Sequence, residues 1–251
     1  IGPAGRWASE RRYRAGTLIL ETLFETDSGR VRIIDFMPPK AELSKVVRIV
    51  EGLEGEVEMR SELVARFGYG IGVPWTSRSE GGAVSLVAGA SMLLLRTGVP
   101  MRDESMKTVG SFSVARGQRV TFVLSHQISY QKPAPPENPA ALLGETERFW
   151  RDWSSRCQTA GRYSEQVLRS LITLKALTFG PSGGIVAAPT TSLPEQIGGP
   201  RNWDYRFCWV RDATLTLLAL MEASYYDEAR AWRDWLLRAV AGSPEQLQIM
   251  Y

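Results

Sequence analysis

The sequence has few of the residues that usually carry metal or nucleophilic chemistry. Its 251 residues include a single histidine, His126, and two cysteines, Cys157 and Cys208. A histidine-based catalytic triad and a site with several histidine ligands are therefore excluded within this chain. Because the two cysteines fit no metal-binding spacing, we expect buried thiols in a reducing compartment and a cytoplasmic location. We expect neither a metal nor a cofactor.

The sequence also has neither a large net charge nor a long hydrophobic run. The formal net charge is +3, and the arginines are spread along the chain without a basic run. We therefore expect neither nucleic acid nor a membrane surface as a partner. No apolar stretch reaches the roughly 18–20 residues that span a bilayer, and the most apolar segment, residues 213–223, has the length of a buried helix. The chain begins at Ile1 without a signal-peptide pattern, so we expect that the native N-terminus is missing.

Short strands separated by turn residues are predicted for residues 12–125. Runs such as RVRIIDFMP and QRVTFVLSHQ are rich in β-branched residues, and turn sequences such as DSG and PPK separate them. Eight or so strands at this spacing, without a helical period, predict an antiparallel β-sandwich. Tyr69 and Trp75, with Arg66 and Asp35, are candidates for a small sugar-binding patch in this half. Scattered aromatic residues in a sandwich are more often packing residues, so we assign no site there.

The proline-rich segment QKPAPPENP, residues 131–139, marks a change of pattern. Four prolines in nine residues favour an extended connector. Apolar residues then recur with a helical period. Helices are predicted before residue 157, over residues 163–179 with Ser164 as the N-cap, and from Asp212 to residue 225. We expect three parts: a β-sandwich at residues 1–130, a linker with a linker helix at 131–160, and a helical domain at 161–251.

The stretch GGPRNWDYRFCWVRD, residues 198–212, concentrates binding chemistry in a loop. Its fifteen residues include two Asp, three Arg, two Trp, a Tyr, a Phe and an Asn. Aromatic faces bind the apolar faces of sugar rings, and Arg–Asp pairs offer donors and acceptors to hydroxyls. Such a loop before an apolar helix predicts a binding site. Two alternatives stay open: a structural knot that satisfies buried loop groups, and Asp212 as the N-cap of that helix.

The longer run APTTSLPEQIGGPRNWDYRFCWVRDATLTLLAL resembles the first active-site segment of glycoside hydrolase family 15. This family includes glucoamylases, glucodextranases and bacterial or archaeal trehalases. ERFWRDWSSRC resembles the linker helix, and the β-rich half resembles the trehalase-like N-terminal domain, so the resemblance covers nearly the whole chain. It implies a multidomain protein, β then α, with an antiparallel β-sandwich followed by the first helices of an (α/α)6 toroid that is truncated here.

The resemblance also implies roles for single residues. Arg211 and Asp212, with Trp209, match the element that holds hydroxyls of the non-reducing glucose, and Tyr205 matches an aromatic hydroxyl close to the attacking water. The expected substrate-binding residues are Tyr205, Trp209, Arg211, Asp212, Trp203 and Arg206. The family's two catalytic glutamates, a general acid and a general base, lie in later loops. No catalytic residue is therefore assigned in this chain, and neither Glu195 nor Glu222 takes such a role.

The implied function is hydrolysis of α-glucosidic bonds with release of glucose, trehalase-like and inverting, on an α-glucoside or α,α-trehalose. Three alternatives remain: a glucoamylase or glucodextranase acting on α-glucans, a disaccharide phosphorylase, and a non-catalytic sugar-binding or assembly module. A partial toroid would expose one flank of the helix over residues 213–225. We therefore expect a homo-oligomer or association with the remainder of the barrel.

Overall fold

The computed structural model describes residues 1–39, 43–79, 81–159, 161–190, 196–240 and 243–251. The described residues form eleven strands, then four α-helices and a short 3₁₀ helix. The predicted order, antiparallel strands before helices, is confirmed. The chain divides into two compact units, Ile1–Phe149 and Trp150–Tyr251. The division into a sandwich, a linker and a helical domain stays a prediction.

All strand pairs among the described residues are antiparallel. The sequence pattern predicts eight or so strands. Three of the additional strands, Gly2–Pro3, Trp75–Arg78 and Arg102–Glu104, have two to four residues, too few to show alternation. The fourth, Ala8–Tyr13, has six residues and is exposed throughout, so its mostly polar sequence shows no buried face. The strands are β1 (Gly2–Pro3), β2 (Ala8–Tyr13), β3 (Leu20–Thr26), β4 (Gly29–Phe36), β5 (Lys45–Leu63), β6 (Trp75–Arg78), β7 (Val84–Ala88), β8 (Ser91–Thr97), β9 (Arg102–Glu104), β10 (Lys107–Ala115) and β11 (Arg119–Ile128).

Strand β5 is the longest strand and belongs to both layers of the first unit. Its first half pairs with β4 and β11, and its second half pairs with β10 and β1. Gly52 and Gly55 lie where the pairing changes. A Cβ at Gly52 would lie 2.1 Å from the carbonyl oxygen of Ala115, and a Cβ at Gly55 would lie 2.1 Å from that of Ser28. Only glycine permits these close approaches, so both positions require it.

The core of the first unit lies between the two layers. Phe112 on β10 packs against Phe122 on β11 with the ring centroids 5.5 Å apart, although the two strands are not paired with each other. Adjacent residues of β4 are buried on opposite faces: Ile33 belongs to this core, and Ile34 belongs to a second cluster that includes Leu142 of the first helix. Burial on both faces explains why the alternation of β4 is imperfect in the sequence.

The helices are α1 (Pro139–Ser154), α2 (Ser164–Ala176), α3 (Val210–Glu222) and α4 (Tyr226–Ala239), followed by the 3₁₀ helix Pro244–Gln246. The prediction that Ser164 is the N-cap of α2 is wrong, because Tyr163 occupies that position without a side-chain capping bond. Leu215 and Leu218 of α3 are exposed, as predicted for one flank of this helix. In the part of the chain that the structure describes, every helix is too short or too polar to cross a membrane.

Glu228 is the buried polar centre of the second unit. Its Oε1 accepts hydrogen bonds from the indole nitrogen of Trp153 at 2.8 Å and from Lys175 at 3.0 Å. The neighbouring Tyr225 stacks on Trp153 and donates its hydroxyl to the Trp153 carbonyl. The last turn of α1, the last turn of α2 and the start of α4 are therefore joined around a single carboxylate.

Candidate functional site

The backbone of the site segment, residues 203–212, is hydrogen-bonded to two other segments of the chain. Residues 187–188 supply one partner, and residues 249–251 supply the other. The bonds join Ala187 N to Phe207 O (3.2 Å), Ala188 N to Tyr205 O (2.8 Å), Cys208 N to Tyr251 O (2.9 Å), Tyr251 N to Cys208 O (3.1 Å) and Val210 N to Ile249 O (3.1 Å). These backbone hydrogen bonds fix the path of the segment that precedes α3, so the positions of its side chains are also fixed.

Trp209 is the centre of an aromatic group in this segment. Its indole nitrogen donates to the carbonyl of Asp204 at 3.0 Å, and its side chain is buried. Trp203 meets it edge-on with centroids 6.0 Å apart, and Tyr205 meets it at 5.4 Å with the rings tilted by 38°. The buried Trp209 therefore packs against both of the other rings. Trp203 is half-exposed, so part of its ring surface faces solvent.

Arg211 and Asp212 form an ion pair at the start of α3. The Arg211 guanidinium lies 3.0 Å from the Asp212 carboxylate, and the two side chains are 70% and 32% exposed. Asp212 lies in the first turn of α3, where the free backbone amides and the helix dipole favour a negative charge. The prediction that Asp212 is the N-cap is wrong, because pairing of Val210 with Ile249 starts α3 two residues earlier and Trp209 is the N-cap.

Arg206 is oriented by Asp204, a residue that the sequence did not single out. The guanidinium lies 2.7 Å from one carboxylate oxygen, and the other oxygen accepts from the backbone amide of Arg206 at 2.9 Å. The Asp204 carbonyl also accepts from the Trp209 indole nitrogen. Asp204 therefore bonds to donors within the loop, which is the role that the structural alternative gives to such a residue. The i, i+2 spacing of Asp204 and Arg206 was the available sequence signal. Arg211 and Asp212 instead pair with each other near solvent. The structural alternative therefore applies to Asp204 and Arg206 and not to Arg211 and Asp212.

The six expected binding residues thus form two neighbouring groups along the chain. Trp203 and Tyr205 each contact Trp209, and Arg206 is attached through Asp204. Arg211 and Asp212 follow as a pair. Together they combine ring surface, a guanidinium and a carboxylate, which suits a neutral ligand with hydroxyls. Among the described residues, no group of three or more His, Cys, Asp or Glu side chains is placed to hold a metal.

Of the two glutamates considered in the sequence, only Glu222 lies among the described residues. Glu195 lies outside the described residues. Glu222 is exposed at the last residue of α3, the opposite end of the helix from Arg211 and Asp212.

The candidate patch of the first unit does not come together as one cluster. Asp35 pairs with Arg48, and Arg66 donates to the carbonyls of Ala65 and Met106. The two rings, by contrast, are at the surface, with Tyr69 78% and Trp75 86% exposed. The expectation that these aromatic residues pack in the core or at its rim is therefore wrong, because a glycine-flanked turn carries Tyr69 and the short strand β6 carries Trp75.

Comparison with known proteins finds a family model and curated relatives that this chain resembles. Residues 161–251 match the family model described as Glycosyl hydrolases family 15. A trehalase of Thermoplasma volcanium is 31% identical over 226 residues, which cover 88% of this chain and 36% of that protein. A trehalase of Mycolicibacterium smegmatis is 29% identical over 288 residues, which cover 100% of this chain and 42% of that protein. The chain therefore spans about two fifths of the length of these curated relatives.

The crystal structure of a bacterial glucoamylase complexed with acarbose has a similar fold. It superposes with a TM-score of 0.62 over 93% of this chain and 42% of that protein, at 14% sequence identity. At this identity the likeness concerns the fold alone.

Proposed function

Residues 161–251 belong to glycosyl hydrolases family 15, and from this premise we propose that the protein hydrolyses an α-glucosidic bond, with α,α-trehalose as the preferred substrate. The observation that carries the proposal is the exposed Arg211–Asp212 pair at the start of α3, next to the aromatic group around Trp209. The names of the similar proteins, which are trehalases, support the choice of substrate.

The proposed role of this chain is to hold the glucose unit. A sugar hydroxyl donates to the Asp212 carboxylate and accepts from the Arg211 guanidinium, so one hydroxyl pair can engage both partners of the ion pair. Charge-assisted hydrogen bonds of this kind are about twice as strong as neutral ones. Trp203 covers an apolar ring face, Tyr205 places its hydroxyl close to the attacking water, and Arg206 completes the wall of the pocket.

The bond-breaking step in the proposal belongs to two carboxyl groups outside residues 1–251. An inverting hydrolase needs a general acid and a general base about 6.5–9.5 Å apart, with the attacking water between the base and the sugar. Each contributes roughly 10²–10⁴ to the rate. In this mechanism the residues of the chain bind and orient the sugar. A cytoplasmic location and association through the exposed flank of α3 belong to the same proposal.

The test measures the intact mass of the purified protein and its release of glucose from trehalose and from maltose. We expect the protein that holds the acid and base to release glucose from trehalose faster than from maltose, and Asp212→Ala to remove this turnover. The matched control is Asp234→Ala, because Asp234 forms a similar exposed pair with its neighbour Arg233. Full turnover in the Asp212→Ala variant contradicts the proposed grip.

The other outcomes of this assay identify the alternatives. Faster release from maltose and longer α-glucans indicates a glucoamylase or glucodextranase. Formation of a glucose phosphate that depends on added phosphate indicates a disaccharide phosphorylase. Saturable sugar binding without turnover in a protein whose intact mass matches the natural gene product indicates a binding module.

A further inference from the structure

Asp204 closes a tight turn around Tyr205. Its Oδ1 accepts from the backbone amide of Arg206 at 2.9 Å. A bond from an aspartate side chain to the backbone two residues further on is the pattern of an Asx turn. The Arg206 guanidinium returns to the same carboxylate and lies 2.7 Å from Oδ2. One carboxylate therefore binds both the main chain and the side chain of Arg206.

The peptide unit between Tyr205 and Arg206 is hydrogen-bonded at both of its polar groups. Its N–H donates to Asp204, and its carbonyl oxygen, which belongs to Tyr205, accepts from the Ala188 amide at 2.8 Å. Because a peptide unit is planar, bonds at its two opposite edges fix its rotation about the chain. The direction in which the Tyr205 side chain leaves the backbone is therefore set by this turn.

Asp204 also contacts the ring against which Tyr205 packs. The Trp209 indole nitrogen donates to the Asp204 carbonyl at 3.0 Å, which fixes the orientation of that ring. The Tyr205 ring lies 5.4 Å from the Trp209 ring between centroids. The two polar ends of Asp204 thus act on either side of Tyr205, the carboxylate on the backbone that follows it and the carbonyl on the indole beside it.

The ion pair of Asp204 with Arg206 suits positioning better than folding stability. The two side chains are 25% and 39% exposed. Ion pairs at this exposure are screened by water and contribute little to the stability of a fold. Loss of the Asp204 carboxylate should therefore change the local geometry of residues 204–206 more than it changes the unfolding of the second unit.

We propose that Asp204 is a positioning residue of the sugar site. Its carboxylate holds the turn that directs the Tyr205 hydroxyl to the attacking water, and it keeps the Arg206 guanidinium at the wall of the pocket. This inference rests on the proposed function, which gives Tyr205 and Arg206 these roles. Asp204 acts through these two neighbours and is assigned no contact of its own with the sugar.

The experiment compares Asp204→Ala with Asp204→Asn in trehalose hydrolysis by the protein that holds the acid and base. Asp204→Ala removes the turn and the ion pair, so we expect kcat to fall roughly ten- to a hundredfold, as for a misplaced group at a reacting centre. Asn keeps an oxygen for the Arg206 amide but loses the charge. Asp204→Asn should therefore keep kcat and raise KM about three- to tenfold, the effect of one weakened hydrogen bond.

A second readout does not depend on turnover. Hydrogen exchange of the Arg206 backbone amide in the sugar-free protein should be about three- to tenfold faster in Asp204→Ala, since the amide loses its acceptor, and unchanged in Asp204→Asn. Urea denaturation should give the same midpoint for both variants. If Asp204→Ala fails to fold, Asp204→Ser replaces it, because a serine hydroxyl closes the same turn more weakly, and its kcat should fall between the other two.

The matched control is Glu104→Ala. Glu104 pairs with Arg102 at the same spacing of two residues, and both side chains are exposed in the first unit. This variant should leave kcat, KM and the exchange of the Arg206 amide unchanged.

Two results would overturn the positioning role alone. One is an Arg206 amide that exchanges equally fast in Asp204→Ala and in the unmodified protein. The other is a loss of kcat that is absent in Asp204→Ala or equally large in Asp204→Asn. If the unmodified protein releases no glucose from trehalose, the proposed function fails and the positioning role fails with it, whatever the exchange of the amide shows.

Discussion

The phenol ring of Tyr225 lies parallel to the indole of Trp153, with the ring centroids 4.0 Å apart and the planes 9° from parallel. The Tyr225 hydroxyl also donates to the Trp153 backbone carbonyl at 2.9 Å. The same two residues therefore share an apolar contact and a buried hydrogen bond. Burial and the neighbouring Cys157 raise the pKa of Tyr225, so this hydroxyl stays protonated and remains a donor at physiological pH.

Tyr225→Phe should separate the hydrogen bond from the stacking. The variant keeps the ring contact and removes one of the two donors to the Trp153 carbonyl, which still accepts from the Arg156 amide at 3.2 Å. We therefore expect the free energy of unfolding to fall by about 0.5–1.5 kcal/mol, the net contribution of one hydrogen bond. Tyr226→Phe is the matched control, since Tyr226 is the next residue and is exposed. Urea denaturation compares the two variants. An equal loss in both would show that the buried bond contributes nothing specific.

Glu228→Gln should weaken the junction between the helices. The amide oxygen can still accept from Trp153, but Lys175 loses its charged partner, so we expect a loss of about 1–3 kcal/mol at neutral pH. Glu222→Gln, an exposed glutamate at the end of α3, is the control and should change stability by less than about 0.5 kcal/mol. Chemical denaturation of the two variants against the unmodified chain measures both values.

The same carboxylate should make stability depend on pH. Burial by itself raises the pKa of Glu228, but the hydrogen bonds from Trp153 and Lys175 and the charge of Lys175 outweigh it, so the pKa lies below its ordinary value of 4.5. A lowered pKa in the folded state means that the stabilisation is complete above about 4.5 and is lost as the pH falls through the lower value.

The measurement is the difference in unfolding free energy between neutral pH and about pH 3.5, below the ordinary pKa of a glutamate. This difference should be smaller in Glu228→Gln than in the unmodified chain and unchanged in Glu222→Gln. Identical pH profiles in all three proteins would contradict the assignment.

Asp212→Ala should weaken sugar binding at the start of α3. Loss of hydrogen bonds to a charged group corresponds to about 1.5–3 kcal/mol, or roughly ten- to a hundredfold in affinity. Asp234→Ala removes an equally local Arg–Asp pair on α4 and should leave affinity unchanged. Calorimetric titration with glucose tests both. The assignment fails if the two variants bind glucose equally well.

Gly55→Ala should destabilise the first unit more than Gly68→Ala. Both glycines have positive φ, 61° and 56°, so both variants carry the left-handed cost of about 1–2 kcal/mol. Only at Gly55 does the new Cβ also meet a backbone oxygen, at 2.1 Å, so a total loss of about 2–4 kcal/mol is expected there. Thermal unfolding measures the difference. Similar losses would mean that β5 can shift to admit a side chain.

Local pattern is enough to predict most elements of this fold. Runs of β-branched residues with turns between them predict antiparallel strands for the first half, and a helical period predicts helices after the proline-rich segment. Strands of two to four residues such as β6 escape prediction because they hold too few residues to show a period. The predicted N-cap of α2 is one residue late, since Tyr163 and not Ser164 takes that position. The predicted start of α3 at Asp212 is two residues late, and at its observed start the Val210 amide is bonded to the distant Ile249.

The candidate site, too, is predicted from the sequence only in part. Density of Trp, Arg and Asp within residues 198–212, and the resemblance that this run carries, are enough to indicate a sugar site. Neither the residue density nor the resemblance predicts that Trp209 is buried and Trp203 half-exposed, because residue type alone does not indicate which ring faces the core. The i, i+2 spacing of Asp204 and Arg206 is a sequence signal for their ion pair, but the bond from Trp209 to the Asp204 carbonyl depends on the folded loop.

The sequence by itself determined which segments are strands and helices and which loop carries the binding chemistry, because both depend on residues near one another in the chain. Only the tertiary structure decided which distant groups meet. The ion pairs of Lys45 with Glu137 and of Lys175 with Glu228 join residues far apart in sequence. Such contacts follow from the packing of whole elements, which leaves no periodic trace in any one of them.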